Sequence, residues 1–471
     1  MFYRECGDGF AFASELKPLL LLPGLERRVN RRALRSAVRF GSNIEDESMM
    51  SSIFKLPPGH CLVWRDGVCE VSPYWRHPRP APETWDREKL TTELRGRLRQ
   101  SVRSHMISDA PLGAALSGGL DSSGVVALMA ESSPRPIDTF TVGHGADDPD
   151  ILAARLVAER WRTNHHEIAV EAENVADVLP RVVWQLEEPL GQMETVQMFL
   201  NYRAAAKFVK VLLIGEGADE LFGGYARYKV FEPCLPLPMA VRRDLYGRVY
   251  QHSDEPMATS FGRVLAQGLW GAPPVSPLTD PHPRVVSPLG DVTERGHAIE
   301  RAMNYDQRTI LPHLYLKRAD AMGMAHSLEL RVPFLDRQIV ELAARIPGEL
   351  MVKNGVEKYV LRRALAPLLP PAIIRRRKHP LQMRVNTRLV ETLDYLCDRL
   401  LGSEDVRARG FFDPARVARL RIERPGRLAT HTKRKFWTWR IWSMILCELW
   451  ARMFLDRLPT PVPPARLADI L

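Results

Sequence analysis

The octet Leu116-Ser117-Gly118-Gly119-Leu120-Asp121-Ser122-Ser123 stands directly after an apolar run, Pro111 to Leu116, and directly before a helical pattern from about Ser123 to Glu131. Adjacent glycines let a backbone curl close to an anion. Ser117, Ser122 and the first N–H groups of the helix supply donors at the positive end of its dipole. The chemistry this predicts is phosphate binding, and it is not of the Walker type, because no Gly-Lys-Ser/Thr follows. The bland alternative is a Gly-Ser turn that caps a helix. A second cluster, Gly215-Glu216-Gly217-Ala218-Asp219-Glu220-Leu221-Phe222-Gly223-Gly224-Tyr225, follows the apolar run Val209 to Ile214. Three carboxylates within five residues repel one another unless a cation joins them, and magnesium is the natural candidate. A solvated acidic turn is the alternative there.

Both clusters need elements to hold them. Helical patterns alternate with short apolar runs from Arg87 onward: Glu88 to His105, Pro111 to Leu116, Thr139 to Val142, and Val209 to Ile214. Such units predict an α/β domain with a parallel sheet between helices. In that architecture both loops lie at the carboxyl edge of the sheet, where ligands bind. Residues 1–76 read differently. Phe10 to Ser14 and His60 to Trp64 are strand-like, Asp66-Gly67 is a hairpin turn, and Arg31 to Phe40 is one helix. A Pro-rich linker over His77 to Trp85 leads into a domain over 87–456. Residues 231–300 read as irregular, and the Pro-rich tail over 457–471 reads as frayed.

The chain has 471 residues, 45% hydrophobic and 26% charged, which excludes disorder, collagen-like repeats and coiled coil. Its formal charge of +10 is dispersed, so nucleic acid is not an expected partner. Six cysteines carry no CxxC pair and no zinc spacing, which fits a reducing, cytoplasmic setting. The N-terminus lacks the apolar run of a signal peptide. Phe436 to Leu455 is about membrane length, but Arg440, Glu448 and Arg452 make it a buried or amphipathic helix, so no membrane span is expected.

The octet resembles the pyrophosphate loop of AMP-forming ATP pyrophosphatases, and the second cluster resembles the matching element of glutamine-hydrolysing asparagine synthetases. Asp320 to Asp336, ending in Arg331-Val-Pro-Phe-Leu-Asp336, and Glu357-Lys358-Tyr359-Val-Leu-Arg-Arg-Ala364 resemble two further elements of that family, in the same order. Phe140-Thr-Val-Gly143 and His165-His166-Glu167 also fall in the family's order. Phe10 to Lys17 and Leu56 to His60 resemble the last half of its class II glutaminase domain. The resemblance implies a truncated β-rich glutaminase-type domain before an ATP pyrophosphatase domain. It also implies ATP and Mg²⁺ as cofactors. Leu116, Val142, Ile214 and Gly215 would line the adenine and ribose pocket, each of which could equally be sheet core. Ser117, Gly118, Gly119 and Ser122 would hold phosphates, and Asp121 with Asp219 would bind magnesium. Glu216 would serve the acyl-adenylate, as base for the incoming amine, and Lys358 would reach the α-phosphate or the developing oxyanion. An exposed helix lysine is the alternative for Lys358. His165 and His166, adjacent on a strand, point to opposite faces and read as structural.

Two departures matter. The family's glutaminase uses the thiol and free α-amine of an N-terminal cysteine, whereas residue 2 is Phe and Cys6 falls inside a strand as a small buried hydrophobe. Ala321 stands where these synthetases commonly have Arg. The expected function is an asparagine synthetase-type amidoligase that adenylates a carboxylate, the aspartate side chain by resemblance, and then forms an amide with ammonia. The competing readings are a biosynthetic cyclase of the β-lactam or lasso-peptide macrolactam synthetase kind, which uses an internal amine, and an inactive synthetase-derived binding protein. Expected partners are ATP, an acid such as aspartate, and ammonia, with a separate glutaminase subunit and a homodimer left open.

Overall fold

Strands β1 (Phe2–Cys6), β2 (Gly9–Ala13) and β3 (Phe54–Lys55) form an antiparallel sheet in the order β2-β1-β3, with Tyr3 opposite both Phe12 and Phe54. A computed structural model describes the chain apart from residues 7–8, 144, 146, 170–174, 233–236, 239–240, 243–244, 247–297, 379–386 and 423–430. Helix α1 (Arg31–Phe40) starts where Asn30 accepts from the Arg32 and Ala33 amides, and it ends at Gly41 with φ +74°. Strands β4 (His60–Arg65) and β5 (Val68–Pro73) form a separate hairpin. Its two-residue turn is Asp66-Gly67, both with positive φ, the geometry that matches strand twist.

The second region begins with α2 (Arg87–His105), capped by Asp86, which accepts from the Lys89 amide at 2.9 Å. Leu90, Leu94, Leu98 and Val102 recur every four residues and are all buried, so one face of α2 lies on the core. A five-stranded parallel sheet follows: β6 (Leu112–Ala115), β7 (Asp138–Gly143), β8 (Asn164–Ala169), β9 (Val211–Leu213) and β10 (Glu329–Arg331), in the order β10-β9-β6-β7-β8. From β6 the chain steps outward through β7 to β8, crossing by α3 (Leu120–Ser132) and α4 (Pro149–Trp161). It then returns through α5 (Val175–Leu186) and α6 (Glu194–Ala205) to place β9 on the other flank of β6. The direction of winding therefore reverses between β6 and β9, and the loops that leave these two strands part there into a crevice.

Beyond β9 the described chain is mostly helical. Short α7 (Ala218–Phe222) is followed by α8 (Lys317–Met324), α9 (Tyr359–Leu365) and α10 (His431–Phe454). Trp442, Ile445, Leu449 and Trp450 of α10 are buried, so the long apolar stretch is a core helix. No helix among the described residues is long and apolar enough to cross a membrane.

Two expectations need correction, on the tail and on Cys6. The Pro-rich tail is tied down: Leu467 and Ile470 are buried, Arg457 Nη2 donates to the Ile470 carbonyl at 2.6 Å, and Trp184 Nε1 donates to the Thr460 carbonyl at 3.2 Å. Proline stiffens such a segment without preventing it from packing. Cys6 closes β1 as expected but is half-buried, because it ends the strand. Cys61, Cys69, Cys397 and Cys447 are also free thiols, and Cys234 lies outside the described residues, as does most of 231–300. The linker is fastened too, since the Ala81 and Glu83 amides donate to the Ala344 and Arg345 carbonyls, each at 2.9 Å.

Candidate active site

The octet turns sharply out of β6 and into α3. Gly118 has φ +66°, and a Cβ there would stand 2.7 Å from the Ala154 amide nitrogen, so the loop presses on α4 where only glycine fits. Ser122, on the first turn of α3, accepts from the Ser117 amide at 3.2 Å, and the two hydroxyls are 3.0 Å apart. Gly119 caps α3 without a side-chain bond, which leaves the helix N-terminus open towards the crevice. Leu116 and Ile214 are buried at the ends of β6 and β9, while Val142 and Gly215 are half-buried.

Asp121 and Asp219 meet across the switch point, and Lys358 joins them. Lys358 Nζ donates to Asp121 Oδ2 at 2.5 Å and lies 2.7 Å from Asp219 Oδ1. Its side chain is 5% exposed, so the surface-lysine alternative fails on geometry. Lys358 heads α9 with φ +55°, a left-handed conformation that costs a non-glycine residue about 1 kcal/mol or more. Lys378 pairs with the other oxygen of Asp219 and stands 4.4 Å from the centroid of the Tyr225 ring. Gly224 makes room for this knot, since a Cβ there would overlap Asp219 and Lys358.

The electrostatics follow from burial set against these contacts. Burial works against charge on Asp219, but Lys358 and Lys378 outweigh it and hold the carboxyl well below its ordinary pKa. Burial likewise opposes charge on Lys358, and Asp121 with Asp219 overcome it and raise the ammonium pKa. Asp121 is raised, because burial and then the charge of Asp219 outweigh its bonds to Lys358. Asp121 Oδ1 is a buried oxygen with no hydrogen-bond partner among the described residues. That orphaned oxygen beside Asp219 is a hard-oxygen donor set suited to Mg²⁺, which takes one or two protein carboxylates and completes its shell with phosphate oxygens. Among the described residues no group of three or more His, Cys, Asp or Glu side chains could hold a metal unaided.

The three carboxylates of the second motif go to three different partners. Asp219 faces the lysines. Glu216, 27% exposed, lies 3.7 Å from Arg318 Nη2, and burial raises its pKa against the pull of that guanidinium. Glu220 is fully buried, turns away and accepts from Tyr225 Oη; burial, then the charge of Asp219, push its carboxyl up to about 8. Glu220 therefore stands outside the cation cluster and is held as a neutral acid.

Arg318, Lys378 and Arg376 escaped the sequence reading. Arg376 braces the first loop, with Nη1 donating to the Ser117 carbonyl at 3.4 Å and Nη2 donating to Asp150 at 2.5 Å. Four consecutive basic residues, Arg375 to Lys378, were the available signal. Arg318 lies on α8 one turn before Ala321, so a guanidinium reaches the site from a neighbouring position. His165 Nδ1 is 2.9 Å from Thr139 Oγ1, and His166 Nε2 is 2.9 Å from Asp138 Oδ1, so both are structural, as expected.

The asparagine synthase family profile matches residues 93–452, and the glutamine amidotransferase domain profile matches residues 1–75. A putative glutamine-hydrolyzing asparagine synthetase of Mycobacterium tuberculosis is 32% identical over 98% of this chain and 74% of its own length. Glutamine-hydrolyzing asparagine synthetase 1 of Bacillus subtilis is 30% identical, over 80% of this chain and 63% of its own length. Amidase chry2 of Gibberella zeae is 26% identical over 78% of this chain and 63% of its own. The breadth of these matches, together with two loops that converge on one Lys358-bridged pair of aspartates, places the chain in the asparagine synthetase family.

Proposed function

We propose that the chain is an ATP-dependent amidoligase that adenylates a carboxylate, with the aspartate side chain as the first candidate, releases pyrophosphate, and then forms an amide with ammonia and releases AMP. The observation that carries this reading is the Asp121–Lys358–Asp219 knot at the switch point. The Ser117 to Ser122 loop and the open end of α3 would hold the phosphates, with Leu116, Val142, Ile214 and Gly215 around adenine and ribose. Asp121 and Asp219 would hold magnesium, which supplies charge neutralisation for the departing pyrophosphate. In the first step a substrate carboxylate oxygen bonds to the α-phosphorus, and the bond to the pyrophosphate oxygen breaks. Lys358, a buried and fixed cation, offsets the negative charge that builds there.

In the second step the ammonia lone pair bonds to the acyl carbon. The nitrogen proton passes to a Glu216 oxygen, and the acyl C–O bond breaks, its electron pair leaving with AMP. Ammonia as nitrogen source fits the thiols of the first 75 residues. Cys69 has its pKa raised by burial and by the charge of Glu5, Cys6 Sγ donates to the Arg4 carbonyl at 4.0 Å and Cys61 Sγ to the Ser72 carbonyl at 3.5 Å, contacts that offer none of the three thiols a base among the described residues.

Exchange of labelled pyrophosphate into ATP tests the proposal, with aspartate, glutamate and short acidic peptides as the acids. One acid should support exchange, and Lys358→Ala should lower its rate by about 10² to 10³ while the protein stays folded. Release of ADP and phosphate would sink the reaction class, and normal exchange by Lys358→Ala would return that lysine to a structural role.

A further inference from the structure

Lys358 and Lys378 both meet Asp219, but they are held in different ways. Lys358 lies between two carboxylates and its side chain is 5% exposed. Lys378 pairs with Asp219, its side chain is 26% exposed, and its ammonium stands 4.4 Å from the centroid of the Tyr225 ring. The backbone before it is braced by Arg362, whose Nη1 donates to the Ile374 carbonyl and, at 3.1 Å, to the Arg376 carbonyl, while Nε donates to the Glu357 carbonyl at 2.8 Å. Beyond that brace the lysine reaches out on a flexible four-carbon stem, and what meets its tip decides where the charge sits.

The Tyr225 ring is the fixed partner. Its Oη donates to Glu220 Oε1, and Gln307 Nε2 donates to the Glu220 carbonyl at 2.7 Å. The Arg227 guanidinium lies 4.0 Å from the ring centroid and is itself bound through Nε and Nη2 to Asp306 Oδ2, at 3.0 and 2.7 Å. The Tyr315 ring stacks on it at 6.2 Å. Asp306 is fully buried and also accepts from Tyr228 Oη, so the ring is set in a rigid polar scaffold. The two partners of Lys378 differ in kind. Asp219 is also a candidate magnesium ligand, and a carboxylate that serves a divalent cation attracts a neighbouring ammonium less. The attraction of the aromatic face comes from the ring quadrupole, which coordination at Asp219 leaves in place.

We propose that Tyr225 is a positioning residue whose ring keeps the Lys378 ammonium in the crevice when Asp219 is engaged by magnesium, so that a second lysine stays beside Lys358 to offset the charge that builds in adenylation. This rests on the reading of the crevice as a site for Mg·ATP. Glu220 and Arg227 act one layer further out, by fixing the ring. The proposal makes the ring and not the hydroxyl the part of Tyr225 that Lys378 needs, and it predicts that loss of the ring frees Lys378 while Lys358, held by carboxylates, stays where it is.

Two measurements on the full chain test this. The first needs no turnover: brief exposure to limiting acetic anhydride, with and without Mg·ATP, and acetylation of each lysine read by mass spectrometry. Lys358 and the exposed Lys207 are the internal references. With Mg·ATP present, Tyr225→Leu should raise labelling of Lys378 about fivefold and leave Lys358 and Lys207 unchanged, whereas Tyr225→Phe, which keeps the ring, should match wild type. A general loosening of the fold would expose Lys358 as well. The second measurement is pyrophosphate exchange with aspartate, or whichever acid supports it. Tyr225→Leu should lower exchange about tenfold, and Tyr225→Phe by less than about threefold. If Tyr225→Leu does not fold, phenylalanines carrying one, two or three ring fluorines at position 225 take its place. They keep the shape, weaken the ring quadrupole in steps, and should raise Lys378 labelling and lower exchange in the same steps. Unchanged labelling of Lys378, labelling that rises together with that of Lys358, or raised labelling with normal exchange overturns the proposal. A wild type that exchanges with no acid removes the adenylation reading instead, and the labelling ratio then judges the hold of the ring on Lys378 by itself.

Discussion

Glu220 is the clearest case at the residue scale of a sequence neighbour with a different physical fate. Its carboxyl is raised from about 4.5 to about 8, burial being the main cause, and it accepts from Tyr225 as a neutral acid. Between these two pH values the folded state binds a proton that the unfolded state has lost, so stability falls as pH rises through that window and levels off above it. Glu220→Gln mimics the neutral form. Thermal midpoints measured from pH 5 to 8.5 should fall less steeply in the variant than in wild type, and the variant should be the more stable at pH 8. Parallel profiles would mean that Glu220 is ionised in the fold.

What was legible at this scale follows from distance along the chain. Ser117 to Ser122, Asp121, Asp219 and Lys358 sit in local motifs whose types and order carry the chemistry, and all of them converge on the crevice. Arg318 and Lys378 have no spacing that ties them to residues about a hundred or more positions away. The separation of Glu216, Asp219 and Glu220 onto three partners was equally hidden, because the left-handed turn at Gly217 and the five-residue helix after it aim them in directions that composition does not record.

Among elements, the strands and helices around the sheet were readable because their apolar runs are short and bounded by Gly and Pro. The junctions were not. Helix α5 gives way at Glu187, which takes φ +59° and turns its carboxylate to the first turn of the Leu16–Leu19 helix and to Lys17 Nζ, 2.9 Å away. That carboxylate is 5% exposed, and the Trp450 indole donates to the carbonyl of the same residue at 2.9 Å. Glu187→Ala would strand two buried amides and leave the buried Lys17 with Glu15 as its one acidic partner within ion-pair distance among the described residues. A loss of about 3 to 5 kcal/mol is expected in urea unfolding, the usual cost of removing one member of a buried pair. A loss below about 1 kcal/mol would show that apolar packing alone holds this seam. Turn chemistry predicted the Asp66-Gly67 hairpin, whereas nothing local predicts that one glutamate joins two regions separated by about 170 residues.

At the scale of the whole molecule, the two family matches, over residues 1–75 and 93–452, divide the chain in sequence but not in its core. Phe2, Leu16, Leu34 and Phe40 belong to the same buried apolar cluster as Leu186, Leu314, Trp442 and Trp450. Polar contacts follow the same seam. Ser42 Oγ donates to the His313 carbonyl at 2.5 Å, Gly191 to Gly41, and the linker amides to Ala344 and Arg345. Domains that share so much buried surface cannot unfold separately without exposing apolar area at roughly 25 cal/mol per Å², a cost that couples them. Calorimetry of the full chain should therefore give one cooperative transition that includes the N-terminal strands. Tryptophan fluorescence from Trp442 and Trp450 should change at the same temperature as β-sheet circular dichroism. Cleavage within His77 to Trp85 should lower that single transition instead of releasing a folded fragment of residues 1–76. Two resolved transitions, or a fragment that keeps its sheet signal after separation, would show that the N-terminal region is an independent module and that the seam is only an interface.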